Sequence, residues 1–309
     1  MKTEAIIVGK GGKYPLKGIL TLPEDLSKPV PAVVFVHGSG SSNMDEKVGK
    51  CTPFKDLAEG LTEFGIASVR YDKRSYAHGL KMLREKNITV KEETIEDAIL
   101  ATELLKEDFR IDKENIFIAG HSMGGMLAPR IDAEGGNYKG LILMAGSPRR
   151  LEEIMLDQNE AVMSSGKGLL QWFVNKQVVK ISAMFEGMYE FTDEEAKKKK
   201  VGNGTTLYYF KEMGEHQASE YLLKLKKPIL IMQGKKDFQA TPEKDFAAYK
   251  ELLKDKENVT FKLYENLNHL FVNSVYGNIM KAMKEYKVEQ HIGENVIKDL
   301  ADWILNVAL

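Results

Sequence analysis

Short runs rich in Val, Ile, Leu and Phe alternate along most of the chain with segments whose apolar residues recur every three or four positions. Strands joined by amphipathic helices produce that pattern, so it predicts an α/β fold built on a mostly parallel sheet. EAIIVG, from residue 4, and LKGILTLP, from residue 16, read as an opening antiparallel pair. PAVVFVHG, residues 31–38, lacks the polar alternation of a half-exposed strand, and its unbroken apolar stretch fits a strand covered on both faces. IASVRYD, NIFIAG, GLILMAG, KPILIMQG and NVTFKLYEN continue the series in chain order.

Between the strands the period changes to that of a helix. Thr52 and Pro53 suit an N-cap and a first helical residue, Phe54, Leu57, Leu61 and Phe64 follow at helical spacing, and Gly65 closes the segment. Ile95, Ala98, Ile99, Thr102 and Leu105 line one face of the next helix, with glutamates and lysines opposite. MGGMLAPRI, 123–131, predicts a third, which Pro129 is expected to bend. Ile297, Leu300, Ile304 and Val307 mark a closing helix. GLILMAG and KPILIMQG look like consecutive core strands, yet roughly 80 residues separate them, too many for a structureless loop. Within that stretch Leu170, Val174, Val178, Ile181, Phe185 and Met188 step by three and four. Residues 147–226 are therefore expected to form an inserted helical cap on a core made of 1–146 and 227–309.

Composition narrows the function classes. The 309 residues, 43% hydrophobic, suffice for one large core with an accessory element. Forty-four basic against 45 acidic residues leave a formal charge of -1, so no global field attracts nucleic acid or an anionic membrane. The lysine run 197–200 follows two glutamates and reads as a solvated helix face. Near the start only four consecutive apolar residues, Ala5–Val8, run before glycines and lysines interrupt, too few for a signal-peptide core or a membrane span; the expectation is a complete, cytoplasmic chain. The single cysteine, Cys51, excludes an internal disulfide framework or a thiolate metal cluster and suits a reducing compartment.

IFIAGHSMGGMLAP, residues 116–129, carries the candidate chemistry. Thirteen serines and 26 glycines in this length give roughly 0.09 accidental G-x-S-x-G matches, and this match also falls between an apolar strand and a helix. A serine at the apex of so tight a turn needs glycines two residues either side, because side chains there would collide with neighbouring backbone. The strain lifts the hydroxyl clear of the sheet, at a helix N-terminus. A hydroxyl is a poor nucleophile near neutral pH, so a base must take its proton and a carboxylate must orient that base. In open parallel sheets such groups follow the carboxyl ends of strands. Asp237, after KPILIMQG, meets the first requirement and His269, after NVTFKLYEN, the second; Asp245 is the reserve carboxylate. Among the other histidines, His37 and His121 sit in glycine loops, His78 precedes the serine, His216 lies in the insertion and His291 stands before the closing helix. Two backbone donors for a developing oxyanion are expected from the N–H groups of Met123 and of Ser39, in the loop HGSGSSNMDE.

RYDKRS after a core strand, HGSG, and AGHSMGGMLAPRI together resemble the α/β-hydrolases over the whole chain. Within them they resemble the bacterial serine-aminopeptidase-like, S33-type, esterase and acyl-thioesterase branch. Cinnamoyl and feruloyl esterases share that plan. The resemblance implies Ser122 as nucleophile, Asp237 as acid and His269 as base, in agreement with the reading from the residues. It leaves the substrate open. Small to medium acyl or aryl esters are expected, because Trp172, Phe173, Met184, Phe185 and Met188 give the cap an apolar, deformable lining. Asp72, Lys73 and Arg74 are expected in an internal salt-bridge network. With no HExxH, EF-hand or P-loop pattern, no cofactor or metal is implied, and the expected partner is a small-molecule ester, with homo-oligomerisation left open. The alternatives are an acyl thioesterase or an aminopeptidase with the same triad, the latter drawing an amine-binding carboxylate from Glu152, Glu153, Glu186 or Glu190, and a non-catalytic ligand receptor.

Overall fold

The structure is a computed structural model, and it describes residues 1–85, 87–164, 176, 178–180, 182–202, 205–276, 281 and 284–309. The predicted opening pair is antiparallel, β1 (Lys2–Val8) with β2 (Leu16–Leu22). The strands β3 (Val30–Val36), β4 (Ala67–Tyr71), β5 (Ile111–His121), β6 (Leu141–Met144), β9 (Ile229–Gly234) and β10 (Val259–Tyr264) follow. A two-stranded hairpin, β7 (Lys200–Gly202) with β8 (Thr205–Thr206), stands apart from them. The main sheet has the order β1-β2-β4-β3-β5-β6-β9-β10 and is parallel from β4 onward.

Continuous apolar strands arise because both faces are covered. Val34, Val36, Ile116, Ile118, Leu141, Leu143, Ile229 and Ile231 belong to the cluster on one face. Their neighbours Val33, Phe35, Phe117, Ala119, Ile142, Met144, Leu230 and Met232 belong to the cluster on the other. The second face is closed by α1 (Pro53–Thr62) and the closing helix Glu294–Ala308; Gly60 comes so close to that helix that a Cβ would stand 2.8 Å from Ile297. The first face is closed by α3 (Glu96–Glu107) and α4 (Met123–Ile131). Thr52 differs from expectation: Pro53 starts α1, but the Thr52 side chain makes no capping hydrogen bond. A short helix, α2 (Arg74–Met82), which the periodicity did not predict, follows β4.

Chain order reverses at β3, whose neighbours are β4 on one side and β5 on the other. At such a switch point the loops leaving the two strands diverge and open a crevice, which places the His37–Gly38 loop beside Ser122. Between β6 and β9 the described residues form α5 (Leu151–Ser164), the helices Asp193–Lys198, Leu207–Glu215 and Ala218–Lys224, and the small hairpin. Leu170, Val174 and Ile181, part of the predicted long helix, lie outside the described residues; Val178, Phe185 and Met188 are buried. No helix among the described residues is long and apolar enough to cross a membrane.

The elbow at the end of β5 tolerates no side chain at its glycines. A Cβ on Gly124 would stand 2.1 Å from the Val36 carbonyl oxygen, whereas one on Gly79 would meet nothing within 4 Å. Gly124→Ala should therefore lower unfolding free energy by at least about 3 kcal/mol, and Gly79→Ala, in an open helix position, should change it by no more than about 1 kcal/mol. Urea titration of both variants checks the contrast.

Candidate active site

Ser122 connects β5 directly to α4, with φ 54° and ψ −119°. For a residue with a Cβ this is strained backbone, and it persists because the surroundings determine it fully. Its amide donates to the Met144 carbonyl at 2.8 Å, which pins the turn to β6. A Cβ on Gly120 would stand 2.1 Å from the Gly124 carbonyl oxygen, so the turn closes on itself without space to spare. The Ser122 side chain caps no amide of α4, and its hydroxyl borders a cavity of about 460 Å³.

His269 borders the same cavity and its Nδ1 lies 2.8 Å from Oδ2 of Asp237, both side chains being almost completely buried. Asp237 is held from four directions. Oδ2 also accepts from Gln233 Nε2 at 2.7 Å, and Oδ1 accepts from the amides of Gln239 and Ala240 at 2.8 and 3.1 Å. These donors fix the carboxylate, and it orients the imidazole through Nδ1, leaving Nε2 free to accept. Close backbone approach brings the two loops together: a Cβ on Gly234 would lie 2.3 Å from the Leu267 carbonyl oxygen, which accepts from the Lys236 amide at 3.0 Å. No hydrogen bond joins Ser122 to His269 here, which is common before a substrate closes the site. Asp245 binds Ser147 and Arg149 instead of a histidine, and His291 pairs with Asp56 at the surface.

The loop after β3 is anchored by charges. Gly38 donates its amide to Glu46 Oε1 at 2.8 Å and accepts at its carbonyl from Lys73 Nζ at 2.8 Å. That carbonyl belongs to the peptide whose N–H is that of Ser39, so the buried ammonium polarises it and strengthens the Ser39 donor. Among the described residues the amides of Ser39 and Met123 find no backbone acceptor. Glu46, at φ 51°, turns its other oxygen to His121 Nδ1 at 3.0 Å, and His121 Nε2 donates to the His269 carbonyl at 2.8 Å. Burial alone would push the His121 imidazole down, but the Glu46 carboxylate outweighs it and holds the group above its ordinary 6.5. Burial likewise opposes ionisation of Glu46, and His121 reverses that, holding it below its ordinary 4.5. His37, by contrast, is pushed by burial to about 4 and donates as a neutral ring to the Asn43 carbonyl.

Other cavity walls come from α5 (Leu151, Ile154, Met155, Gln158), from Met126 and Phe210, and from Gln239 and Ala240. Of the residues expected as apolar lining, Trp172 and Phe173 lie outside the described residues. Phe185 stands behind the wall, packed on Phe210 with ring centroids 5.0 Å apart, and neither Met184 nor Met188 lines the cavity. Gln233 and Glu46 were not singled out for the site by the sequence; Lys73 pairs with Glu93 at 3.7 Å, as the expected salt-bridge network requires. Arg74 does join a salt-bridge network, with Asp97 and Glu96, and Asp72 accepts from the Met44 amide. Among the described residues no three His, Cys, Asp or Glu side chains are grouped to hold a metal ion.

The family model for serine aminopeptidase, S33, matches residues 27–274, from β3 to the loop beyond His269. The chain belongs to the S33 serine aminopeptidase family. It is 34% identical over 295 residues to the esterase EstD of Thermotoga maritima, covering 94% of this chain but 65% of that protein, so it spans just under two thirds of that relative's length. Est1E from Butyrivibrio proteoclasticus superposes with a TM-score of 0.60 at 17% identity, covering 98% of each chain. The Pyrococcus furiosus esterase Pf2001 does so with 0.58 at 17%, covering 98% of this chain and 91% of that one. At this identity they share the α/β-hydrolase fold.

In this S33 chain the Glu46–His121 ion pair should show in the pH dependence of stability. His121, raised in the fold, contributes fully below its unfolded value and loses its contribution as pH rises through the folded one. Glu46, depressed in the fold, contributes above its unfolded value and loses its contribution as pH falls through the folded one. The stability difference between wild type and Glu46→Gln should therefore peak between pH 4.5 and 6.5, at about 3–5 kcal/mol, and shrink on both sides. Urea unfolding from pH 3 to 9 measures it; a flat difference would show that the pair is not ionic.

Proposed function

We propose that the protein is a serine hydrolase that cleaves carboxylic esters through an acyl-enzyme, with Ser122 as nucleophile, His269 as general base and acid, and Asp237 as its orienting carboxylate. The observation that carries this reading is the His269–Asp237 contact at 2.8 Å on the wall of the cavity that Ser122 also borders. Ser122 attacks the ester carbonyl as Nε2 of His269 takes its proton. The carbonyl oxygen becomes an oxyanion that the Ser39 and Met123 amides stabilise, and the C–O bond to the alcohol breaks as His269 returns the proton to it. A water, deprotonated by His269, then attacks the acyl-enzyme, and the acid leaves as Ser122 is reprotonated.

Residues 147–226 serve in this reading as a cap over the acyl site, with Leu151, Ile154, Met155 and Phe210 as its apolar surface. The name of the Thermotoga relative supports an ester substrate. An aminopeptidase would need an uncompensated carboxylate near Ser122. Glu93 is the carboxylate among the described lining residues, and Lys73 Nζ stands 3.7 Å from it, so a substrate amine gains little there. Glu152, from the expected set, is buried against Tyr189 and does not border the cavity. A reducing cytoplasm suits the lone buried Cys51.

A fluorophosphonate probe should label the wild type and leave Ser122→Ala unlabelled. Hydrolysis of short p-nitrophenyl esters should fall by about 10³-fold or more in Ser122→Ala, His269→Ala and Asp237→Asn. Comparing esters with thioesters and aminoacyl anilides ranks the leaving groups. A wild-type protein that neither takes the label nor turns over any of the three would be a receptor on a hydrolase fold, and the proposal would be wrong.

A further inference from the structure

A second, larger chamber of about 810 Å³ adjoins the catalytic cavity. The two share Gly40, Glu93, Thr205 and Tyr209, which line both and mark the boundary, or neck, between them. Beyond the neck the walls come from α2 and the residues after it, among them Ala77, Met82, Leu83 and Ile88. Neither Ser122 nor His269 borders this chamber. It therefore cannot be a second reaction site, but a substrate held at Ser122 can extend into it.

Direction follows from the chemistry. His269 must protonate the leaving alcohol, so the alcohol lies on the side of His269, Gln239 and Ala240. The neck contains none of these residues; it lies past Gly40, whose φ of 83° turns the chain just after Ser39. The part of the substrate that reaches the neck is the acyl group. Glu93 there is 8% exposed and spends only Oε2: Tyr209 donates to it at 2.6 Å, and Lys73 Nζ lies 3.7 Å from it. Oε1 makes no hydrogen bond among the described residues. Oε1 is not sealed from solvent, so it stays available as an acceptor at the neck, where a hydroxyl on the ligand can donate to it in place of water. Because Lys73 already balances the charge, the matching donor is a neutral hydroxyl, with an ammonium gaining no net attraction.

We propose that the chamber behind Gly40 receives the far end of the acyl group and that Glu93, at its neck, selects acyl groups carrying a hydroxyl along the chain. This rests on the ester-hydrolase reading above and adds the substrate class, esters of hydroxylated acids. p-Nitrophenyl acetate, which stays in the catalytic cavity, serves as the internal reference for p-nitrophenyl octanoate and for octanoates hydroxylated at successive carbons. At one or two hydroxyl positions the wild type should show kcat/KM about 10-fold above plain octanoate. Glu93→Gln, which can offer its own amide hydrogen in place of a free acceptor, should lose that preference. Ala77→Trp, which fills the chamber from an exposed helix position, should lower the ratio of octanoate to acetate kcat/KM about 10-fold. Acetate turnover with no hydroxyl preference in the wild type, or with the octanoate ratio unmoved in Ala77→Trp, overturns this inference alone. Absence of acetate turnover in the wild type brings down the hydrolase reading and this one with it.

Discussion

The site depends on how closely three stretches of backbone approach one another. Val36 at the end of β3, Gly120 at the end of β5 and Gly124 in the first turn of α4 lie within what would be contact distance of a single methyl group. Only glycine satisfies that, and only a tight turn joins β5 to α4 across it. Ser122 takes the positive φ because no other path is left. The strain is local, while the interactions that hold it, the Met144 carbonyl and two apolar clusters, are distributed over the sheet. A hydroxyl is thus set at a helix N-terminus without a side-chain hydrogen bond of its own among the described residues.

Charge organises what surrounds the hydroxyl. Glu46 grips the Gly38 amide with one oxygen and His121 with the other, and His121 grips the carbonyl of His269. The loop of Ser39, the residue before Ser122 and the loop of His269 are therefore linked by two hydrogen bonds and one ion pair. Replacing such a buried pair by apolar residues often costs little stability. What apolar residues cannot do is fix three loops relative to one another by directional bonds, and reaction geometry tolerates little misplacement. Asp237 is treated likewise, with Gln233 and two amides deciding where its oxygens point.

Much of this was legible in the chain. Strands buried on both faces are continuous apolar runs, and all of those read from the sequence are present because nothing else buries such a run so well. Asp237 and His269 could be picked by chain order, since each follows a late parallel strand, and the structure puts them together. Glu46 could not be picked. Glu46 sits in a polar loop that has no period, and its partner His121 is 75 residues away; its positive φ is a property of the folded loop. Gln233 carried a signal that went unused, a polar side chain in an otherwise apolar strand. The apolar lining failed for a different reason: helical spacing tells that Phe185 and Met188 are buried, but not whether they face a cavity or, as Phe185 does, the back of its wall.

The segment between β6 and β9 is packed on α4 more tightly than a lid that swings freely. Leu207, Phe210, Met213 and Leu222 belong to the same buried cluster as Met123, Met126 and Leu127 of α4. Exposing those four insertion residues would cost about 1.5–3 kcal/mol each, roughly 6 kcal/mol at the least, which leaves an opened form at a population on the order of 10⁻⁴. Tyr209, in the helix Leu207–Glu215, adds a bond to Glu93, and its hydroxyl lies 3.7 Å from Sδ of Met123, next to Ser122. Rigid-body lifting of this part of the insertion is therefore a poor route for substrate. The exposed Ser39–Gly40 loop, which lines the same cavity as Ser122, lies outside that cluster.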